Sequence, residues 1–259
     1  MNKTCNRGSV INSMRHFSNS RIFCNQIVEW TNQLASRHPP KSMKSFVFYF
    51  DYLSPFSYFA HKRLQIHRSE FRISYRPVAL GSLLNEWGIK GPGEVQPKRE
   101  FLLKQCLRYS EKHQIPFTTP KTHPFNSLYA LRLSLEGVAG IHQEKVIDTL
   151  WKAGWEKRID MGEPDELLHE LREAGLPADE LYEKSFTREA KVEFKKNIQD
   201  AISAGGFGVP SFVAGNELFW GNDSLEDLFS FLDNKDILDR EKLMSLLAST
   251  PRAASQQIP

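Results

Sequence analysis

The sequence is poor in cysteine, with three among its 259 residues: Cys5, Cys24 and Cys106. Three scattered thiols are too few for a disulfide framework or for a cysteine-rich zinc site. The histidines have no metal-ligand spacing with cysteine or aspartate, so we expect no metal. We interpret the following histidines as surface residues or residues with satisfied hydrogen bonds: His67, His113, His123, His142 and His169.

Long apolar runs are also missing from the sequence. A membrane-spanning helix needs about 18 or more consecutive apolar residues, and no window of the chain reaches that length. Residues 205–208 are rich in glycine, but they lack the lysine and the strand–helix context of a phosphate-binding loop. With 40% hydrophobic and 25% charged residues, the composition is that of a soluble globular protein, and we expect no membrane partner.

Excess basic charge occurs only in residues 1–42, which carry six of the 34 Lys and Arg residues and one of the 31 Asp and Glu residues. The remaining chain is slightly acidic, which argues against nucleic acid as a partner. Residues 1–42 lack the apolar core of a secretory signal. Their composition fits a disordered extension, translated sequence upstream of a start at Met43, or a mitochondrial transit peptide, and these alternatives stay open. We expect a cytoplasmic protein, or a mitochondrial one if the extension is a transit peptide.

The chain from Met43 onward begins with the pattern of a strand–helix–strand unit. Residues 45–51 form an apolar, aromatic run that is typical of a buried strand. From Ser54 the apolar residues follow a helical period, with Ser54 as N-cap and Pro55 at the first helical position. Residues 71–77 predict a second strand, so the unit is most simply a right-handed βαβ.

The middle of the chain has helical periodicity interrupted by proline and glycine. Six helices are predicted there, at residues 97–113, 124–136, 143–155, 164–174, 178–186 and 187–204. Strand patterns return at residues 211–214 and 217–220, joined by the turn residues Gly215 and Asn216. An amphipathic helix follows these strands, and residues 235–248 predict one more helix.

This order of elements predicts an α/β fold, in which a thioredoxin-like domain is split by an all-helical insertion. We assign residues 43–82 and 205–234 to the thioredoxin-like domain and residues 83–204 to the insertion. Residues 235–259 are expected to form a C-terminal helix and tail.

The segment from Ser54 to Ser57 lies where a strand is followed by a helix. Thioredoxin-like redox proteins have Cys-x-x-Cys at this place, and here both cysteine positions are serine, which excludes dithiol–disulfide exchange there. The Ser54 hydroxyl can instead donate a hydrogen bond to a thiolate that a ligand brings, with support from the helix dipole. The alternative is an N-cap serine with no further role.

Two later segments are candidates for the rest of a ligand site. Pro210 suggests a cis Val209–Pro210 bond that leaves the Val209 backbone able to pair with an extended peptide, although an ordinary turn or edge proline is the alternative. Residues 220–223 end the late hairpin and start a helix. Either Asn222 or Asp223 caps that helix, or the helix N–H groups bind a carboxylate while Asp223 binds an ammonium group.

Three motifs together resemble the 2-hydroxychromene-2-carboxylate isomerase family. They are residues 50–58 (FDYLSPFSY), residues 126–132 (NSLYALR), and residues 207–212 (FGVPSF) followed by residues 219–223 (FWGND). These isomerases are relatives of kappa-class glutathione transferases and of the DsbA-like thioredoxin proteins. The likeness runs from Met43 to about Leu232.

The resemblance implies a DsbA-like or kappa-like fold, a homodimer, glutathione as cofactor, and a small aromatic or electrophilic molecule as substrate. It makes Ser54 the catalytic residue, next to the glutathione sulfur. The residues implied in glutathione binding are Ser54, Val209, Pro210, Trp220, Gly221, Asn222 and Asp223. The insertion would supply a pocket for an aromatic acid, with Lys98, Tyr109 and Asn126 as candidates.

Two positions depart from the family pattern. Relatives often have asparagine after the glycine that matches Gly88, where this chain has Ile89. Arginine commonly follows the Asn-Asp pair, where this chain has Ser224. Both changes leave the predicted fold intact and leave the exact substrate open.

The function implied is a glutathione-dependent isomerase, in which a thiolate stabilised by Ser54 adds reversibly to an aromatic-derived substrate. Two alternatives stay open. The first is a kappa-like glutathione transferase or peroxidase that acts on other electrophiles. The second is a non-catalytic DsbA-like binding module.

Overall fold

The computed structural model describes residues 44–250 of the chain. Predictions for residues 1–42 and for residues 251–259 lie outside the described residues. The compartment, which depends on that extension, stays a prediction. No helix between residues 44 and 250 combines the length and the apolar character that a bilayer crossing requires.

The predicted strand–helix–strand unit is confirmed. Strand β1 (Lys44–Phe50) leads into helix α1 (Pro55–Ile66), and strand β2 (Phe71–Pro77) then pairs in parallel with β1. A parallel pair needs a crossover between its strands, and α1 provides it. Because both strands are parallel, the turns that follow them meet at the same edge of the sheet. That edge contains Ser54.

The late hairpin completes a four-stranded sheet in the order β2-β1-β3-β4. Strand β3 (Ser211–Ala214) pairs antiparallel with β1, and strand β4 (Glu217–Trp220) pairs antiparallel with β3. Gly215, at φ +59°, supplies the left-handed residue that the tight turn between β3 and β4 requires. The pairing of β3 with β1 brings residues near position 210 next to the start of α1.

Helices fill the stretch between β2 and β3 and follow the hairpin. The first eight are α2 (Leu80–Trp87), α3 (Gln96–His113), α4 (Leu128–Leu133), α5 (Glu136–Ala139), α6 (Gln143–Trp155), α7 (Pro164–Glu173), α8 (Ala178–Ser185) and α9 (Arg188–Ser203). Helices α10 (Leu225–Leu232) and α11 (Arg240–Ser249) come after β4. Helix α2 extends across residue 83, where we expected the insertion to begin, and the domain boundaries stay a prediction.

The predicted helix at residues 124–136 is wrong. The chain forms two shorter helices, α4 and α5, and the stretch before Leu128 is irregular. Pro124 follows His123 through a cis bond, and the Asn126 side-chain oxygen accepts the Leu128 N–H at 3.1 Å, which fixes the start of α4. The extended backbone of Leu135 (ψ 144°) then separates α4 from α5.

The sequence predicts a C-terminal helix at residues 235–248, and the helix in the structure starts five residues later, at Arg240. Asp239 is its N-cap and accepts the Lys242 N–H at 2.8 Å, so α11 begins at Arg240. Short polar side chains at this position replace the hydrogen bonds that the first helical N–H groups lack. Residues 235–239 therefore connect α10 to α11.

Aromatic side chains join the helical insertion to the sheet. On the sheet, the rings of Phe48 and Phe212 stack at 5.0 Å between centroids. Trp151 of α6 lies 5.8 Å from Phe50 and 4.5 Å from Tyr52, and all of these side chains are fully buried. Each such pair contributes about 0.5–1.5 kcal/mol beyond its buried area. The insertion is thus packed directly against the strand that leads into the turn before Ser54.

Candidate active site

The turn between β1 and α1 is held by the buried carboxylate of Asp51. One carboxylate oxygen accepts the Leu53 N–H at 3.0 Å, and the other accepts the Leu80 N–H at 2.7 Å. The Asp51 carbonyl accepts the Ser54 N–H at 3.0 Å. Asp51 therefore fixes the turn that presents Ser54 and also caps α2, whose own N-cap residue has no capping side chain.

Burial raises the pKa of Asp51 to about 6, although the hydrogen bonds from Leu80 and Leu53, and one from Ser127, act in the opposite direction. The folded protein therefore binds this proton more tightly than the unfolded chain does. Between about pH 4 and pH 6 the folded state holds more protons, so the free energy of unfolding falls as the pH rises through that window.

We expect Asp51→Asn to remove this part of the pH dependence, which amounts to roughly 2–3 kcal/mol for a shift of about two pKa units. Urea unfolding at several pH values between about 4 and 7 gives the free energy of unfolding and hence its dependence on pH. Asp148→Asn is the control. Burial raises the pKa of Asp148, but its hydrogen bonds with His61 and Arg68 outweigh burial and lower the pKa, which gives a dependence of the opposite sign. An unchanged slope in Asp51→Asn would contradict the assignment.

Ser54 caps α1 and also faces the late hairpin. Its hydroxyl oxygen accepts the Ser57 N–H at 3.2 Å and donates to the Val209 carbonyl at 3.3 Å. Pro55 has no N–H, and within residues 44–250 no group accepts from the Phe56 N–H. The tip of α1 thus presents one hydroxyl and one unpartnered N–H at the positive end of the helix dipole.

The Val209–Pro210 bond is cis, as the sequence suggested. Through the described range, no acceptor pairs with the Val209 N–H, while its carbonyl accepts from Ser54. The Pro210 carbonyl accepts the Gly221 N–H at 2.9 Å, which ties residues 220–223 to the same place. The structure therefore brings together Ser54, Val209, Pro210 and Gly221.

Residues 220–223 form the outer wall of this site. Trp220 is half exposed and packs on Phe207 with 4.9 Å between ring centroids. Gly221 has φ +93°, a backbone conformation that residues with a side chain rarely adopt, so the bend requires glycine. Asn222 is buried, and Asp223 is exposed. The short turn that they begin packs against α1.

A cavity of about 190 Å³ lies against the same turn. Trp155 lines it and donates its indole N–H to the Tyr52 carbonyl at 3.0 Å. His123 lines it as well, and its Nε2 lies 2.9 Å from the Leu53 carbonyl. Tyr52 and Leu53 are the two residues before Ser54. The cavity therefore shares a wall with the turn that positions the serine.

The cavity is lined by three cationic side chains: Arg99 from α3, and Lys121 and Arg158 from loops. Lys121 lies 3.4 Å from the Glu166 carboxylate. No carboxylate of residues 44–250 is within ion-pair distance of Arg99 or Arg158. Leu102, Leu103 and Trp155 add apolar surface. A planar aromatic acid is the kind of ligand that such a lining would bind.

The three predicted substrate residues lie in different places. Lys98 is exposed at the start of α3, beside the cavity residue Arg99. Asn126 is exposed, and its oxygen caps α4. Tyr109 packs on Phe59 at 4.8 Å between centroids and lies beside Arg63. Phe59 and Arg63 are the fifth and ninth residues of α1, so Tyr109 lies along the side of that helix, and its role in substrate binding stays a prediction.

Sequence reasoning missed Arg99, His123 and Arg158 as members of the cavity. We expected His123 to be only a surface residue or one with satisfied hydrogen bonds. Arg158 has φ +62°, a conformation that is uncommon for residues other than glycine and that collects at functional sites. This feature belongs to the structure, so no local signal in the sequence identifies these three residues.

Cys106 does not belong to this site. It is fully buried in α3, and burial raises the pKa of its thiol to about 12. A thiol that stays protonated is a poor nucleophile. Within residues 44–250, no cluster of His, Cys, Asp and Glu side chains is arranged as a metal site.

The fold and the Ser-Pro-Phe-Ser helix tip define a thioredoxin-like protein without redox cysteines. The model of the DsbA-like thioredoxin domain matches residues 46–233, and the chain belongs to that family. It is 31% identical to a 2-hydroxychromene-2-carboxylate isomerase of Sphingobium xenophagum, over 73% of this chain and 98% of that one. It is 29% identical to glutathione S-transferase kappa 1 of Homo sapiens, over 72% and 90%.

The same fold occurs in a solved structure of a 2-hydroxychromene-2-carboxylate isomerase. That structure superposes with a TM-score of 0.66 at 23% identity and covers 80% of this chain and all of the other. The predicted fold and family resemblance are confirmed, and the relatives are isomerases and glutathione transferases, which supports an enzyme.

Proposed function

We propose that this protein is a glutathione-dependent isomerase of the 2-hydroxychromene-2-carboxylate type. The observation that carries the proposal is the cationic cavity, which shares a wall with the turn that presents Ser54. A thiol-binding helix tip next to an acid-binding cavity is the arrangement that this reaction needs. The similarity to an isomerase over most of both chains supports it.

The residues at the helix tip fit glutathione. The Val209 N–H lacks an acceptor among residues 44–250 and is available to the backbone of a bound peptide. The exposed Asp223 carboxylate suits the ammonium group of a γ-glutamyl end, and the first N–H groups after Gly221 suit its carboxylate. The Ser54 hydroxyl and the Phe56 N–H then lie where a thiol would arrive.

Ser54 acts by stabilising charge. Lowering a thiol pKa by about two units needs about 2.7 kcal/mol of preferential stabilisation of the thiolate. One charge-assisted hydrogen bond from Ser54, together with the dipole of α1, supplies energy of that order. To donate to a thiolate, the Ser54 hydroxyl rotates away from the Val209 carbonyl that accepts its hydrogen in the present structure.

When bound, glutathione supplies a thiolate that adds reversibly to a conjugated substrate, which converts a locked double bond into a rotatable single bond. Arg99 and Arg158 bind the substrate carboxylate and orient the ring on Trp155. The apolar Leu102 and Leu103 exclude water from that face. The net reaction is an isomerisation.

A kappa-like transferase is the second candidate, and the 29% identity to a kappa-class glutathione transferase favours it. It would use the same thiolate but would consume it on neutral electrophiles. A non-catalytic DsbA-like module is the third, and it would not need a cationic cavity beside the helix tip. The homodimer stays part of this proposal, and light scattering of the purified protein tests it.

A glutathione titration by calorimetry, followed by assays with 2-hydroxychromene-2-carboxylate and with 1-chloro-2,4-dinitrobenzene, separates these candidates. We expect glutathione binding and turnover of the carboxylate without net loss of glutathione. Consumption of glutathione with the chlorobenzene alone would favour the transferase. Absence of glutathione binding would overturn both enzyme assignments.

We expect Asp223→Ala to weaken glutathione binding about tenfold or more, because a charge-assisted hydrogen bond contributes about 1.5–3 kcal/mol. Turnover at saturating glutathione should change much less, since Asp223 lies away from the reacting sulfur. Calorimetry gives the dissociation constant. Asp227→Ala, an exposed acid in α10, is the matched control. An unaltered dissociation constant in Asp223→Ala would contradict this placement.

A further inference from the structure

His123 lies in the wall between the cavity and the turn that joins β1 to α1. Its ring lines the cavity, and its Nε2 is within hydrogen-bond distance of the Leu53 carbonyl, one residue before Ser54. The contact with Leu53 engages one ring nitrogen and leaves the second, Nδ1, free for another role.

The hydrogen bond to Leu53 fixes the tautomer of His123. A carbonyl oxygen can only accept, so Nε2 carries the proton, and Nδ1 of the neutral ring is an open lone pair. Across residues 44–250, Nδ1 has no hydrogen-bond partner, and it is not among the buried atoms that lack one. Within the described part of the chain the lone pair is therefore unengaged, on a ring that lines the cavity.

The surroundings keep the ring neutral. Burial is the main cause that lowers the pKa of His123, and Arg99 of α3 lowers it further, while the Leu53 carbonyl raises it. The other charged groups near the cavity are Lys121 with its partner Glu166, Arg158 after α6, and Asp160, which lies 3.3 Å from the Thr122 hydroxyl. Cations predominate, so Nδ1 is an unprotonated base at neutral pH.

We propose that His123 is the proton-transfer residue of this site, and that its Nδ1 takes a proton from a hydroxyl group of the substrate bound in the cationic cavity. The assignment rests on the proposed isomerase function and adds a catalytic base to it. Arg99 and Arg158 hold the substrate carboxylate, which places an adjacent hydroxyl at the cavity wall that His123 forms.

For a cyclic hemiketal the step balances as follows. The hemiketal O–H bond breaks and an Nδ1–H bond forms, which leaves the ring of His123 as an imidazolium. The electron pair left on oxygen forms a C=O bond as the ring C–O bond breaks, and the aryl oxygen receives that pair. The imidazolium then returns its proton to the aryl oxygen, so His123 ends neutral and no proton is consumed.

His123→Gln separates proton transfer from support of the turn. The glutamine amide can still donate to the Leu53 carbonyl, but it offers no base in place of Nδ1. We expect kcat for 2-hydroxychromene-2-carboxylate to fall about a hundredfold, with the glutathione dissociation constant and the pKa of the bound thiol unchanged. The acidic limb of the pH profile should also disappear.

His123→Ala should lose both the base and the support, so the glutathione site should change as well. His169→Gln, an exposed histidine in α7, should behave as wild type. If His123→Gln keeps kcat within threefold of wild type while His123→Ala loses activity, the residue only supports the turn and the proposal is overturned.

A measurement without turnover tests the base by itself. NMR titration of the full chain follows the pKa of His123 with and without saturating salicylate, a hydroxy aromatic acid, and the His123→Gln spectrum assigns the signal. We expect salicylate to raise the pKa by about one unit, because an anion beside the ring favours the imidazolium. An unchanged pKa of His123 in the presence of salicylate would overturn this placement. If salicylate raises the pKa of His123 but the protein does not turn over 2-hydroxychromene-2-carboxylate, the result supports His123 as the base. It then contradicts only the proposed isomerase function.

Discussion

Ser54→Ala should lower turnover of 2-hydroxychromene-2-carboxylate about a hundredfold or more, which is the usual cost of removing one preorganised donor from an anionic centre. The same change should raise the pKa of the bound glutathione thiol by about one to two units, because the dipole of α1 alone contributes only about 0.3–1 kcal/mol. The dissociation constant measured at low pH, where the thiol is neutral, should change little.

The ultraviolet absorbance of the thiolate, followed against pH, measures that pKa. Ser57→Ala is the matched control, since it makes the same change three residues later on the same helix. The Ser57 hydroxyl is buried and has no partner in the described part of the chain, so we expect its removal to leave the thiol pKa in place. If Ser54→Ala leaves the titration unchanged, Ser54 is only an N-cap.

The double change Arg99→Met and Arg158→Met should raise KM for the carboxylate substrate about a hundredfold or more. Each arginine is expected to donate charge-assisted hydrogen bonds of about 1.5–3 kcal/mol to the carboxylate. Methionine keeps most of the side-chain volume and removes the charge. Glutathione affinity should not change, because residues 209–223 and Ser54 are untouched.

Steady-state kinetics with both substrate types tests this prediction. Activity toward the neutral 1-chloro-2,4-dinitrobenzene, if wild type shows any, should persist in the double variant. Lys104→Met is the control, since Lys104 is an exposed cation of α3 that pairs with Glu100 away from the cavity. An unchanged KM for the carboxylate would show that the cavity does not bind it.

The parts of the site that local sequence determines could be predicted. The change from strand to helix at Ser54 follows from the apolar pattern, from a capping residue and from Pro55. A proline directly before a strand left two alternatives open at Pro210, a cis bond and an ordinary turn proline, and the structure has the cis bond. The fold followed from the order of strands and helices, which sets how the sheet can be connected.

The cavity could not be predicted in this way. Arg99, His123 and Arg158 come from three separate segments, and only the tertiary fold brings them to one cavity. Tyr109, which the resemblance proposed, lies beside Arg63, and its role in substrate binding stays a prediction. Segments such as residues 124–127, where a proline and a capping asparagine override helical periodicity, are where sequence patterns fail.

The hydrogen bond between Ser54 and Val209 joins residues that are 155 positions apart in the chain. Pairing over such a distance is slow to form, because the loop-closure entropy must be lost before the contact stabilises the chain. A ribosome must therefore release the residues of β3 and β4 before the proposed glutathione site can form. Shortened products that end before Asp223 would lack part of that proposed site, however well their helices form.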